Sequence, residues 1–442
     1  MDSDDNAPKS RFIHKVILTF FGIASLLGWN ALLTKLDFFD YFLSDINPSR
    51  SFAFFNYALN ITFQFLLIYK KDIFSHKFQL IAGILGSIVF LVLIPLCTML
   101  LGQNAMINKI IVGGLLILMG FTNALCCSGF FSYAGHFPLD MIVVFTAGQG
   151  ISGIGLNIIQ FIVLASVNIS DEKVQHIVSA WIFFGIGILI LILCLILLFY
   201  SYNDEYCKYY LNKSNQTEPN PEKREIKLLN NFDNNTLASN QEEGITKDVV
   251  ETLDSENVNV NENDNLEIKF EPSFMYVFKK IWDLDVMACY AYIITFSLFP
   301  NACVAQKIFD LDTYNSVTII SIYNGFDTIG RYIIDRIKPT KTLNLIVGLG
   351  RTVLLITIIL NYYFKEHGVD LTFTSIFLMI NVAILGITNG MAGTLSFGLA
   401  SRLSEEEIKG QAGGSISFFS ILGIFLGSCF SFAVGAILDA IK

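Results

Sequence analysis

Residues 177–201 read IVSAWIFFGIGILILILCLILLFYS, a run with no charged side chain. About 20 mostly apolar residues, each adding about 1.5 Å of helix, cross the hydrocarbon core of a bilayer. The run is continuously apolar rather than alternating, which selects a helix over a barrel strand. Comparable runs lie near 12–35, 52–70, 78–101, 107–133 and 139–166 before it, and near 275–301, 313–335, 343–364, 371–400 and 411–440 after it. The expected fold is therefore an all-α polytopic membrane protein with about 11 transmembrane helices in a 6+5 arrangement.

Composition agrees. Of 442 residues, 53% are hydrophobic and only 15% charged, with 40 Phe and a mean hydropathy of +0.56. Soluble domains carry about 25% charged residues, so this chain lacks the polar surface to stay in water. The net charge of -9 comes largely from the N-terminus (Asp2, Asp4, Asp5) and a central polar segment, and does not argue for a basic partner. Cys97, Cys126, Cys127, Cys194 and Cys429 lie in apolar runs without metal-ligand spacing and read as small hydrophobes. The five histidines are scattered near segment ends. No cleavable signal peptide is expected, because the first apolar stretch runs past Leu33 without a small-residue cleavage site.

Four regions follow: a tail over 1–11, a first helix bundle over 12–201, a linker over 202–272 and a second bundle over 273–442. The linker is rich in Asn and acid (Asn230, Asn231, Asn234, Asn235; Glu262 to Asn265), too poor in apolar surface to fold, and expected to be disordered. Basic residues set the orientation. With the N-terminus in the cytosol, 20 Lys and Arg fall inside and 7 outside; without the nine of the linker and its edge, 11 still oppose 7. The tail and linker are thus expected to be cytosolic.

Within the apolar stretch Val317–Ile334 sit Asn324, Asp327 and Arg331. An ionisable side chain at membrane depth costs roughly 2.5–3.5 kcal/mol on insertion scales. Residues three and four apart share a helix face, so Asp327 can neutralise Arg331 with Asn324 beside them. One reading is an internal salt bridge that locks the helix to its neighbours. The other is a polar site for a hydroxyl-rich solute, the carboxylate accepting and the guanidinium donating.

Trp29, well inside the first span beside Leu26 and Asn30, offers either a packing ring or a flat face for a heteroaromatic solute. Glycines in the fifth span (Gly148, Gly150, Gly153, Gly155), the tenth (Gly386, Gly390, Gly393, Gly398) and the eleventh (Gly413, Gly414, Gly423, Gly427) suit close helix packing. Gln149, Asn157 and Gln160 are expected to bond neighbouring helices. No paired aspartates, His-rich metal set or activated nucleophile stands at membrane depth, and no phosphate-binding loop follows a strand. Neither enzymatic chemistry nor ATP-driven transport is expected, and no cofactor or metal.

The chain resembles the equilibrative nucleoside transporter family. The resemblance rests on Leu26-Leu27-Gly28-Trp29-Asn30, on Gly148-Gln149-Gly150 with Gly153, and on Phe299-Pro300. It extends through Asn324, Phe326, Asp327, Gly330 and Arg331 in the pattern N-x-F-D-x-x-G-R, through Asn389-Gly390, and through Ala412-Gly413, Phe418-Phe419, Gly423, Gly427 and Phe430-Ser431-Phe432. It implies eleven helices, a cytosolic N-terminus and a major-facilitator-like fold. It further implies that Leu26, Trp29 and Asn30 line a central cavity and that Asp327 and Arg331 meet a ribose, with Asn324 beside them. Two positions depart: Gly28 replaces a proline, and Cys127 stands where many members contact the nucleobase with glutamine. A thiol poorly replaces an amide that both donates and accepts.

The resulting expectation is facilitated diffusion of nucleosides, or of nucleobases, by alternating access in the plasma membrane. Leu26, Trp29, Asn30, Cys127, Asn324, Asp327 and Arg331 are the candidate substrate contacts. A proton-coupled symporter is the alternative within the class; a receptor or scaffold that retains the fold is the alternative outside it. The expected partners are the substrate and the lipid bilayer, with no nucleic acid and no obligate protein partner.

Overall fold

The structure is a computed structural model that describes residues 10–69, 73–100, 105–167, 169–216, 274–311, 314–337, 339–405 and 408–442. Among the described residues it holds helices and no strand. In chain order these are α1 (Phe12–Thr34), α2 (Leu36–Leu43), α3 (Pro48–Tyr69), α4 (His76–Leu100), α5 (Ala105–Gly135), α6 (Leu139–Ser166), α7 (Glu172–Ser201) and α8 (Glu205–Gln216). After the linker come α9 (Phe274–Leu298), α10 (Asn301–Val304), α11 (Asn315–Arg336), α12 (Lys341–Gly350), α13 (Val353–Glu366), α14 (Leu371–Leu403) and α15 (Lys409–Ile441).

Local chemistry starts several of them. Asp171 caps α7 by accepting from Val174 N, Thr340 caps α12 at Leu343 N, and Asp370 caps α14 at Phe373 N. Each occupies one of the backbone donors that a helix start leaves open.

Nine candidate spans among the described residues are long and apolar enough to cross a membrane, with α9 joined to α10 and α12 to α13. The two other expected crossings, α3 and α11, have the length, 22 residues each, but more polar side chains. Outward faces are apolar: Ile162, Leu189, Ile196 and Ile356 are each more than half exposed, as lipid contact demands and water would not tolerate.

Helices α1 and α6 pack together, as do α3, α4 and α5; in the other half α9 packs on α15 and α11 on α14. Between the halves, α11 lies against α6, and α15 against α3 and α5. These two contacts frame the space described below.

Three local features differ from the expectation. The ninth span consists of two segments, α12 and α13, that meet at Arg351–Thr352 with both residues in the helical region, and the Arg351 side chain is buried and turned toward α9 and α14. Lys35, one of the seven basic residues counted outside, is fully buried, donating to Asp37 Oδ2 at 2.9 Å and Ser179 Oγ at 3.0 Å. The stretch 202–272 is not unfolded throughout, because α8 occupies its start. Tyr206 and Cys207 are buried there, Tyr206 stacks on His14 with ring centroids 4.2 Å apart, and Tyr210 meets Phe137. The rest of that stretch and the tail up to residue 9 lie outside the described residues.

Candidate functional site

The centre of the site is a carboxylate with both oxygens bonded. Arg331 Nε donates to Asp327 Oδ2 at 2.7 Å, the pairing that the i, i+4 spacing allows. Asn389 Nδ2 of α14 donates to Oδ1, also at 2.7 Å. That second bond depends on how closely α11 and α14 approach. A Cβ at Gly390 would overlap the carbonyl oxygen of Asp327, and one at Gly330 that of Ile387. Glycine alone permits such backbone contact.

Arg331 reaches across the two halves as well. Its Nη1 donates to Thr146 O at 3.1 Å and to Gln149 Oε1 at 2.9 Å on α6, while Gln149 Nε2 donates to Ser25 Oγ on α1 at 3.1 Å. Both readings of the ion pair therefore coexist: it ties α11 to its neighbours and it presents a polar face. Arg331 and Asp327 are about 95% buried, so the pair acts at low dielectric, where charge-assisted hydrogen bonds are stronger than in water.

A second guanidinium stands behind. Arg351 is 1% exposed; Nη1 and Nη2 each lie 3.4 Å from Asn389 Oδ1, and Nη2 also bonds Thr295 Oγ1. Asp327 thus contacts Arg331 directly and Arg351 through an amide.

Leu26, Trp29, Asn30, Cys127, Asn324, Asp327 and Arg331 all line one cavity of about 80 Å³. Aromatic rings close around it. Trp29 stands edge-on to Tyr57, centroids 5.2 Å apart, with Phe296 at 6.5 Å. Phe131, also on the wall, meets Phe397 at 5.0 Å and Phe145 at 5.4 Å. Asn30 spends its amide on Ser152 Oγ of α6, at 3.2 Å. Helix α1 runs unbroken through Gly28, whose missing side chain leaves room for Met119 and Ser87.

Other lining residues were not singled out from the sequence: Tyr57, Tyr292, Phe296, Tyr323, Ser417 and Ser420. Aromatic and serine residues are too common in spanning helices to stand out singly. Asn389 stands out in the sequence only through the Asn389-Gly390 motif. Arg351 carried a usable signal, as the other arginine at or within a span. Among the described residues no group of three His, Cys, Asp or Glu is placed to hold a metal ion.

Comparison with known proteins gives the same direction. A family model described as "Nucleoside transporter" matches residues 114–436. Human equilibrative nucleoside transporter 2 is 25% identical over 98% of this chain and 99% of its own length. Equilibrative nucleotide transporter 5 of Arabidopsis thaliana is 24% identical over 96% of this chain and 95% of its own. Among solved structures, a D-xylose-proton symporter superposes with a TM-score of 0.59 at 13% identity, covering 96% of this chain and 90% of that one. The major facilitator superfamily proton:xylose symporter XylE superposes at 0.58 with 11% identity, covering 97% and 95%. The fold is that of the major facilitator superfamily.

Proposed function

We propose that this chain, which belongs to the nucleoside transporter family, moves nucleosides down their gradient by alternating access. The observation that carries the reading is the Asp327 carboxylate, fixed from two sides by Arg331 and Asn389 on the wall of a cavity lined by aromatic rings. A ribose offers vicinal hydroxyls that a bonded carboxylate and a guanidinium recognise together. A base offers a flat face that suits Trp29 and its aromatic neighbours.

In this reading Leu26, Trp29, Asn30 and Cys127 contact the base side of the solute, and Asn324, Asp327 and Arg331 the sugar side. Eleven crossings, a cytosolic N-terminus and a plasma-membrane location complete it. The halves rock about the cavity, and the bonds from Arg331 to Thr146 and Gln149 are among those remade on each passage. Facilitated diffusion is favoured over proton coupling because the relatives matched over nearly their full length are named equilibrative transporters.

The test is uptake of radiolabelled adenosine, inosine, uridine and hypoxanthine into cells lacking their own carriers, with wild type and Arg331→Ala at equal surface expression. Saturable wild-type uptake that disappears in the variant is the expected result. No uptake of any of the four, with protein at the surface, removes the substrate assignment. Uptake that is flat from roughly pH 5.5 to 8 is expected for a carrier without proton coupling, and a steep acid optimum would reverse that assignment.

A further inference from the structure

Helix α3 carries a polar stripe. Asn56, Asn60 and Gln64 recur every fourth residue, share one face, and are each no more than 1% exposed. The stripe reaches α5 and α15: Asn56 Oδ1 accepts from Asn123 Nδ2 at 3.1 Å, and Gln64 Oε1 accepts from Ser417 Oγ at 3.3 Å. Gln64 Nε2 has no hydrogen-bond partner in the protein. A fully buried amide with an unpaired N–H is rare in folded proteins, and such a group calls for a reason.

Ser417 connects this amide to the cavity. It lines the cavity with Cys127, and its hydroxyl stands 3.3 Å from Gln64 Oε1 and 3.8 Å from Cys127 Sγ. A hydroxyl has one proton and two lone pairs. While the proton points at Gln64, Ser417 shows the cavity an acceptor. Turning the Gln64 carboxamide over exchanges its oxygen for its nitrogen, two orientations of nearly equal shape. Nε2 then donates to Ser417 Oγ, and the serine proton is released toward the cavity.

We propose that Gln64 sets the hydrogen-bonding sense of Ser417, so that this wall reads the edge of a heteroaromatic base as either donor or acceptor. The proposal rests on the nucleoside reading above and deepens it. The sugar-binding groups sit on α11 and α14, whereas Ser417, Cys127 and Gln64 come from α15, α5 and α3, with Phe131 and Tyr57 beside the same cavity. That assigns the base to this side. Ser417 touches the base; Gln64 is a positioning residue behind it. The solutes served are purine nucleosides bearing either a 6-amino donor or a 6-oxo acceptor.

Adenosine and inosine differ at that position, so they make the test. The full chain is reconstituted in liposomes, and KM and Vmax per carrier are measured for both with wild type, Gln64→Met and Ser417→Ala. In Gln64→Met the serine proton turns back to the carbonyl of its own helix one turn earlier, and only an acceptor faces the cavity. The inosine-to-adenosine KM ratio is expected to rise about fivefold, the weight of one neutral hydrogen bond, with Vmax unchanged. Ser417→Ala is expected to raise both KM values by about that factor and leave the ratio alone.

A Gln64→Met ratio equal to wild type, with saturable transport intact, overturns the relay and spares the transport reading. Equal loss of Vmax for both substrates makes Gln64 structural and also overturns it. Should Gln64→Met not fold, unchanged KM values in Ser417→Ala overturn it independently. Absence of uptake by the wild type removes the nucleoside reading itself.

Discussion

Asn389 donates from Nδ2 to Asp327 Oδ1 at 2.7 Å while its own Oδ1 faces Arg351. The one amide therefore joins a carboxylate to a guanidinium that the carboxylate does not touch. Its orientation is fixed at both ends, since only nitrogen can serve Asp327 and only oxygen can serve Arg351. The carboxylate is held in place before any solute arrives, which lowers the cost of ordering the site on binding.

Replacing Asp327 by Asn keeps the shape and removes the charge. Arg331 then stays buried without its counter-ion, a change that costs about 3–5 kcal/mol where one partner of a buried pair is lost. Asp327→Asn is expected to lower uptake per surface molecule at least tenfold. The ratio of uptake to surface-biotinylated protein checks it, and wild-type flux in the variant would show that the charge is dispensable.

Arg351→Met is expected to lower uptake about tenfold at near-wild-type abundance. A buried cation replaced by an apolar chain of similar length need not destabilise the fold, but the Asn389 oxygen keeps only Thr295 Oγ1, at 2.8 Å, and loses the positive charge behind it. The expected signature is a raised KM for the nucleoside with little change in the thermal unfolding midpoint of the purified protein.

Gly390 and Gly155 predict opposite outcomes for one chemical change. A Cβ at Gly390 meets the Asp327 backbone, whereas nothing lies within 4 Å of one at Gly155. Gly390→Ala is expected to force α11 from α14, part Asn389 from Asp327, and abolish uptake. Gly155→Ala is expected to leave uptake and surface level within about twofold of wild type, as for a substitution without a structural cost.

Asp40, on α2 outside the spanning helices, has its carboxyl pushed up to about 7 by burial and by the neighbouring Asp37 charge. The folded chain holds this proton where the unfolded chain has released it, so stability falls as pH rises from about 4 to 7. Asp40→Asn is expected to raise the thermal midpoint above that of wild type at pH 8 and to make no difference at pH 4. Equal midpoints at both pH values would remove the assignment.

Much of this was legible in the sequence because charge at membrane depth is conspicuous. Asp327 and Arg331 announced themselves by cost, and their spacing supplied the partnership. Continuous apolar runs located the helices to within a few residues. What escaped has a common cause. Asn56, Asn60 and Gln64 are amides spread along a helix full of aromatic residues, and no single one is costly enough to notice. Arg351 lies inside the 343–364 run, and the run alone does not show that its side chain faces α9 and α14 rather than lipid. Tyr206 and Tyr210 are hidden in the sequence by the polar residues around them, although Tyr206 stacks on His14 of α1 and Tyr210 meets Phe137 between α5 and α6.

The backbone contact of α11 with α14 has a further consequence for a carrier that rocks. Bonds inside one half survive each passage, while bonds between halves break and reform. Asp327 to Asn389 is of the first kind, and Arg331 to Gln149 of the second. The element that recognises the cargo is therefore a passenger on a rigid body, and each crossing remakes the bonds that join the halves, among them Arg331 to Gln149 and Ser417 to Gln64. Tuning Gln149, which holds Arg331 Nη1 on the cavity wall, would change how fast the carrier turns over.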